Sequence, residues 1–214
     1  MELSPKIKAV LFDMDGVLID ARDWHFEALN EALTPFGFQI SYDDHLARFN
    51  GLSTNLKLKI LSSEYGFPLA LHDVVNTIKQ DRTLRTAGKL CFPVVQHQIL
   101  LSRLYQKKIL VGVVTNSIRK SAEAMLKYAD LMRFLETLVT NQDVENPKPN
   151  PECYVLACKN IGVHPSQVLV VEDGDYGAQS ATLAGCQVIR VDSPINVSID
   201  LLLPYIPELL GEIS

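Results

Sequence analysis

The stretch that decides the reading is AVLFDMDG, residues 9–16. Four apolar residues, Ala9 to Phe12, run unbroken into Asp13, Met14, Asp15 and Gly16. An apolar run without polar alternation suits a strand buried on both faces of a parallel sheet. Two carboxylates two positions apart point to the same side of an extended segment. Gly16 then lets the chain turn away. Four more runs of this kind follow: Ile109–Val114, Leu138–Thr140, Val168–Val171 and Val188–Val191. Helical patterns lie between them. Ala122, Met125, Leu126 and Ala129 recur at helical spacing within Ser117–Ala129. Asn150 and Pro151 open a helix that runs to Ile161, with Gly162 as its stop. Gly177–Ala184 is a shorter helix stopped by Gly185. Strands alternating with helices predict an α/β fold built on a doubly wound, Rossmann-like parallel sheet.

Residues 20–88 break this rhythm and contain no buried strand pattern. Trp24, Ala28, Leu29, Ala32, Leu33 and Phe36 mark one amphipathic helix. Leu52, Leu56 and Ile60 mark another, with Ser53 as its cap, and a third spans His72 to Leu84. The expected organisation is a catalytic core of residues 1–19 and 89–214, with an inserted α-helical cap domain of residues 20–88. An insertion of this size can bury a small core of its own. The tail, Ser198 to Ser214, is interrupted by Pro204 and Pro207 and predicts irregular helical turns.

The chain has 214 residues, long enough for a large core without disulfide or metal staples. With 20 Lys and Arg against 25 Asp and Glu, the net charge of −5 argues against nucleic acid and against an anionic membrane surface. The 4 cysteines, Cys91, Cys153, Cys158 and Cys186, form no Cys-x-x-Cys pair or zinc spacing, as expected of reduced thiols in a cytosolic protein. The N-terminal stretch has too short an apolar run, cut by Asp13, for a signal peptide. No apolar run approaches the ~20 residues needed to span a bilayer. A soluble, cytoplasmic monomer is expected.

Open α/β sheets bind ligands at the carboxyl ends of their strands. The first strand is followed by Asp13 and Asp15, and the second by Thr115, Asn116 and Ser117. Beyond the third lies Lys148 between two prolines, and after the fourth come Glu172, Asp173 and Asp175. Asp13, Asp15 and Asp173 together make an oxygen-rich site suited to Mg²⁺. Lys148 and Thr115 are donors for phosphate oxygens. A carboxylate nucleophile, a second carboxylate for proton transfer, Mg²⁺ and a lysine suffice for phosphoryl transfer through an aspartyl-phosphate. Each element alone has a plainer reading: a turn, a solvated lysine, a helix cap, a charged loop. Their joint occurrence, in order and all at strand ends, favours the chemistry.

These motifs resemble those of the haloacid dehalogenase superfamily over almost the whole chain. FDMDGVLID, VVTNS, NPKPNPE and VVEDGDYGAQSATLAG match its four motifs in order, and the insertion resembles its small α-helical cap. The similarity is greatest to the β-phosphoglucomutase-like phosphatases and phosphomutases. It implies Asp13 as nucleophile and metal ligand, and Asp15 as general acid/base with its backbone carbonyl on the metal. It implies Thr115 and Asn116 as phosphoryl ligands, Lys148 as the group joining Asp13 to the phosphate, and Asp173, with Glu172, as metal ligands. A carboxylate at Asp15 separates the chain from dehalogenases and phosphonate-cleaving members, which lack an acid there, and from the ATPases, which carry Thr.

The insertion is less decisive. Asp23-Trp24-His25-Phe26 resembles the mutase hinge, in which a histidine at the place of His25 assists proton transfer. Asn50-Gly51-Leu52-Ser53-Thr54 resembles the specificity loop, but Thr54 stands where the mutase has an arginine that grips a distal phosphate. Lys79 or Arg82 is a candidate substitute for that arginine. Ala21 and Gly174 replace residues that commonly carry a hydroxyl, and Asp175 adds a charge near the metal site. The expected function is a Mg²⁺-dependent phosphatase of a small phosphorylated metabolite such as a sugar phosphate. The alternatives are a hexose phosphate phosphomutase and, more remotely, a phosphometabolite sensor without turnover.

Overall fold

The computed structural model describes residues 6–211. The first five and last three residues lie outside it, and with them part of the N-terminal stretch weighed above as a leader and the end of the tail. Five strands form one sheet: β1 (Ala9–Phe12), β2 (Leu110–Val114), β3 (Thr137–Val139), β4 (Val168–Glu172) and β5 (Gln187–Arg190). Their order is β3-β2-β1-β4-β5, and every pairing is parallel. β1 sits in the middle, with Ala9 facing Leu110 on one side and Val168 on the other. All four of its residues are buried, as its unbroken apolar run requires. Helices cover both faces and give two hydrophobic clusters, one around Phe12, Val113 and Leu169, the other around Leu11, Val170 and Tyr154.

Strand ends follow the backbone ladder rather than hydrophobicity. Thr140 is buried but lies past β3, because its N–H and hydroxyl both donate to Asp143 Oδ2 at 2.7 Å. Arg190 is exposed yet closes β5 opposite Glu172.

The insertion is helical, with two differences from expectation. The first helix, Arg22–Leu33, gives way to a 3-10 turn at Thr34–Phe36, where Pro35 cannot supply an N–H. The second, Thr54–Tyr65, has the expected cap: Ser53 Oγ accepts the Leu56 N–H. The third, His72–Leu90, runs six residues past Leu84, beyond the expected start of the core at residue 89, and stops only ahead of Pro93. Leu29, Leu33, Phe49, Leu58, Leu61 and Phe67 form a third hydrophobic cluster drawn wholly from the insertion.

Helix Val95–Gln106 is absent from the sequence expectations. No side chain caps its start, so it lacks a punctuating signal, although Leu100, Leu101 and Leu104 are fully buried. Helix Glu152–Ile161 has the expected ends: Asn150 Oδ1 accepts the Glu152 N–H, and Gly162 takes the left-handed conformation. Helices Arg119–Tyr128 and Asp175–Leu183 lie within two residues of their expected bounds. The tail holds short turns at Ile199–Leu202 and Pro207–Leu210. Among the described residues, no helix is long and apolar enough to cross a membrane.

Gly112 shows how tightly the sheet is covered. A Cβ there would stand 2.6 Å from Thr137 Cγ2 and 2.7 Å from Leu11 Cδ2, on the strands at either side. Gly112→Ala is expected to cost about 1–3 kcal/mol by overpacking. Thermal unfolding checks this: the midpoint falls by several degrees, and an unchanged midpoint contradicts the packing account.

Candidate functional site

The carboxyl ends of β1, β2 and β4 and the loop after β3 meet at one crevice. Lys148 is its centre. Its side chain is 3% exposed, and its ammonium donates to Asp13 Oδ1 and Glu172 Oε1, both at 2.6 Å, and to the Val114 carbonyl at 2.7 Å. Burial opposes its charge, but the Asp13 and Glu172 carboxylates outweigh burial and raise its pKa. Tyr154, on the helix after Lys148, donates its hydroxyl to Glu172 Oε1 at 2.6 Å.

Asp13, Glu172 and Asp173 offer carboxylate oxygens within 4.8 Å of one another. Arg22 donates to Asp173 Oδ2 at 3.1 Å. Each of the three carboxylates therefore keeps one oxygen without a hydrogen bond among the described residues: Asp13 Oδ2, Glu172 Oε2 and Asp173 Oδ1. Burial pushes Asp13 well above the usual carboxylate range; Lys148 opposes this, and Glu172, Asp173 and Asp15 add to it. Three negative groups face two fixed cations, Lys148 and Arg22. An all-oxygen set with that excess fits a hard divalent cation. Gly16 permits this crowding. It has φ +91°, and a Cβ on it would run into the Asp173 carboxylate.

Asp15 faces a different set of partners. Its Oδ1 lies 3.0 Å from His25 Nε2, and its Oδ2 accepts from Ser117 Oγ at 2.8 Å and Thr115 Oγ1 at 3.3 Å. Burial works against its charge, but His25, the Ser117 hydroxyl and Lys79 hold its pKa below the usual value. Lys79 Nζ in turn lies 3.0 Å from His25 Nδ1. Burial first, then the Lys79 charge, lowers the His25 pKa.

Asn116 ties the insertion to the core. Its Nδ2 donates to the Gly51 carbonyl at 2.8 Å and the Lys148 carbonyl at 3.2 Å, and its Oδ1 accepts the Lys148 N–H. Thr54, Gly51, His25 and Lys79 line the same cavity as Asp13, Asp15, Thr115 and Asn116. Arg82 does not: it pairs with Glu31 at 3.1 Å on the surface, so it cannot replace the missing arginine. Asp175 is also away from the cluster, opening helix Asp175–Leu183 and pairing with Arg190 at 2.8 Å.

Among the cavity and cluster residues without an assigned role in the sequence expectations are Arg22, His45, Lys57, Ser117 and Tyr154. Ser117 and Tyr154 stand inside or beside recognised motifs, where a hydroxyl could have been weighed. Lys57 looks like the solvated edge of a helix, because LKLK alternates as a surface would.

The family model for haloacid dehalogenase-like hydrolases matches residues 10–191. The chain belongs to this family. A β-phosphoglucomutase from Clostridium difficile superposes with a TM-score of 0.81 at 20% identity, covering 94% of this chain and 98% of that one, a likeness of fold. A phosphorylated carbohydrates phosphatase of Thermotoga maritima is 28% identical over 183 residues, covering 86% of this hydrolase-family chain and 84% of the relative. A validoxylamine A 7'-phosphate phosphatase of Streptomyces hygroscopicus subsp. limoneus is 31% identical over 195 residues, covering 83% and 82%.

His45 generates a pH prediction. Its ring lies against Phe26 and Tyr42, and both nitrogens are buried without a partner among the described residues. Burial, then Lys57 and His25, bring its pKa down to about 4. The unfolded chain, with a histidine pKa of about 6.5, therefore binds more protons between these values. The His45 contribution is complete above pH ~6.5 and is lost as the pH falls towards 4, at about 1.4 kcal/mol per unit for one proton. Midpoints measured from pH 7 to 4.5 are expected to fall more steeply in the wild type than in His45→Phe. Parallel curves contradict this.

Proposed function

We propose that the protein is a Mg²⁺-dependent phosphatase of a small phosphorylated carbohydrate, working through an aspartyl-phosphate on Asp13. One observation carries the reading. Asp13 is held by a buried lysine inside a three-carboxylate cluster, and a second carboxylate, Asp15, is held separately at the same cavity. The phosphatases among the relatives support it.

Asp13, Glu172 and Asp173 would hold the Mg²⁺, with the Asp15 backbone carbonyl as a further ligand. When bound, the ion offsets the excess negative charge and polarises the phosphoryl oxygens. Asp13 Oδ2 attacks phosphorus, and the bond to the leaving oxygen breaks. Asp15 gives that oxygen a proton. The approach of an anionic phosphoryl raises the Asp15 pKa, so that Asp15 first takes up this proton from solvent. In the second half, Asp15 takes a proton from water, whose oxygen displaces Asp13 from phosphorus. Lys148 neutralises Asp13 and the phosphoryl throughout, and the Thr115 hydroxyl donates to it. The Asn116 side chain is engaged at both ends, so its share of phosphoryl binding falls to its backbone N–H. The insertion acts as a cap that excludes water. Four free cysteines suit a reducing, cytoplasmic setting.

The His25–Asp15 contact favours a second reading, the phosphomutase, in which a sugar hydroxyl replaces water. Thr54 in place of arginine counts against it.

Phosphate release across sugar phosphates, nucleoside monophosphates and polyol phosphates, with Mg²⁺ and with EDTA, tests the proposal. Release is expected only with Mg²⁺. Asp13→Asn is expected to reduce it to background with the fold intact, and substantial residual activity rejects the nucleophile. Lys148→Ala leaves buried carboxylates uncompensated, so about 3–5 kcal/mol of stability is lost along with turnover. Glucose 6-phosphate formed from β-glucose 1-phosphate with a bisphosphate primer, without phosphate release, selects the mutase.

A further inference from the structure

The insertion supplies eleven of the residues lining the cavity, including Arg22, Lys57, Lys79, His25 and His45, and not one carboxylate. Arg22 is matched by Asp173. Among the described residues Lys79 has a hydrogen-bond partner in the His25 ring and no ion pair, although the charge of Asp15 acts on it. Lys57 has no hydrogen bond or ion pair among the described residues, although the residue is 6% exposed. Thr54 and Lys57 are one helical turn apart, on the face of helix Thr54–Tyr65 that looks into the cavity. His45 adds two buried ring nitrogens without a partner at the same wall.

Two cations buried side by side, with no ion pair among the described residues and only the charge of Asp15 to share, are costly. The cost is visible in both: burial brings Lys57 down to about 7 and Lys79 to about 8. The charges acting on Lys57 are Lys79 and Asp15, not Asp13, Glu172 or Asp173. Lys57 belongs to the wall that the insertion supplies, whereas the reacting phosphoryl already has Lys148, Thr115 and the carboxylate cluster from the core.

We propose that Lys57 and His45, with Lys79 beside them, form a subsite for a second anionic group on the substrate. This rests on the phosphatase reading and narrows it: the substrate class is a phosphate monoester carrying a further carboxylate or phosphoryl group. Lys57 supplies the charge and His45 a ring N–H donor. An uncharged hydroxyl would leave the ammonium unpaired, so the subsite discriminates by charge.

The test uses two matched pairs, 3-phosphoglycerate against glycerol 3-phosphate and fructose 1,6-bisphosphate against fructose 1-phosphate. The wild type is expected to favour the doubly anionic member of one pair by at least about tenfold in kcat/KM, through KM. Lys57→Met, which fills the same space without charge, is expected to erase about tenfold of that preference, and Lys57→Arg to retain it. The pair that responds separates a carboxylate from a phosphoryl group. A wild type that shows no such preference, or a preference equal in Lys57→Met, overturns the subsite while leaving the phosphatase in place. If the wild type releases phosphate from nothing, the phosphatase reading fails, and calorimetric titration with fructose 1,6-bisphosphate and with 3-phosphoglycerate decides the subsite. Tighter binding than to the singly anionic partner, weakened about tenfold in Lys57→Met, upholds it; equal affinity rejects it. A thermal midpoint for each variant confirms that the fold is retained.

Discussion

A lysine ammonium shut away from water needs negative charge around it, and the site is arranged by that need. Lys148 draws Asp13 from the end of β1, Glu172 from the end of β4 and the Val114 carbonyl from the end of β2 to one point. Each partner comes from a different strand, so the contact works only if those strands end level with one another. The parallel register provides this, with Phe12 opposite both Val113 and Val171. Removing Lys148 would leave buried carboxylates uncompensated, which is dearer than never having built the contacts. Sheet register, acidic cluster and lysine are therefore one constraint seen from three sides.

Around that point the protein separates two carboxylates that the sequence places two residues apart. Asp13 faces a lysine and two other acids; Asp15 faces a histidine and two hydroxyls. Burial raises both pKa values; at Asp13 it prevails over Lys148, whereas at Asp15 His25, Ser117 and Lys79 overcome it. Environment, rather than residue type, gives two aspartates different properties.

Much of this was legible in the chain. The unbroken apolar runs declare a parallel sheet because strands buried on both faces tolerate no alternation. The residues just past those runs had to converge, since parallel strands all end on the same side. Helix Val95–Gln106 was not legible, because nothing caps its start and its burial is tertiary. Lys57 was not legible either. A lysine between leucines reads as solvated, and only the packing of helix Thr54–Tyr65 turns it inward. Arg82, equally charged and one turn beyond Lys79, looked equivalent in sequence but turns outward to Glu31. Spacing along a helix narrows which residues share a face; the neighbouring elements decide which face is covered.

The separate hydrophobic cluster of the insertion has an evolutionary consequence. Leu29, Phe49, Leu58 and Phe67 pack among themselves, while the sheet packs around Phe12, Val113 and Leu169. Substitutions in clusters that share few partners have effects that nearly add. A lineage can therefore rework the parts of the wall that do not bond to Asp15 or Asp173 without disturbing the strand ends that hold the acids and Lys148. New substrate preferences then become accessible in single steps, and the inherited chemistry is carried along unchanged.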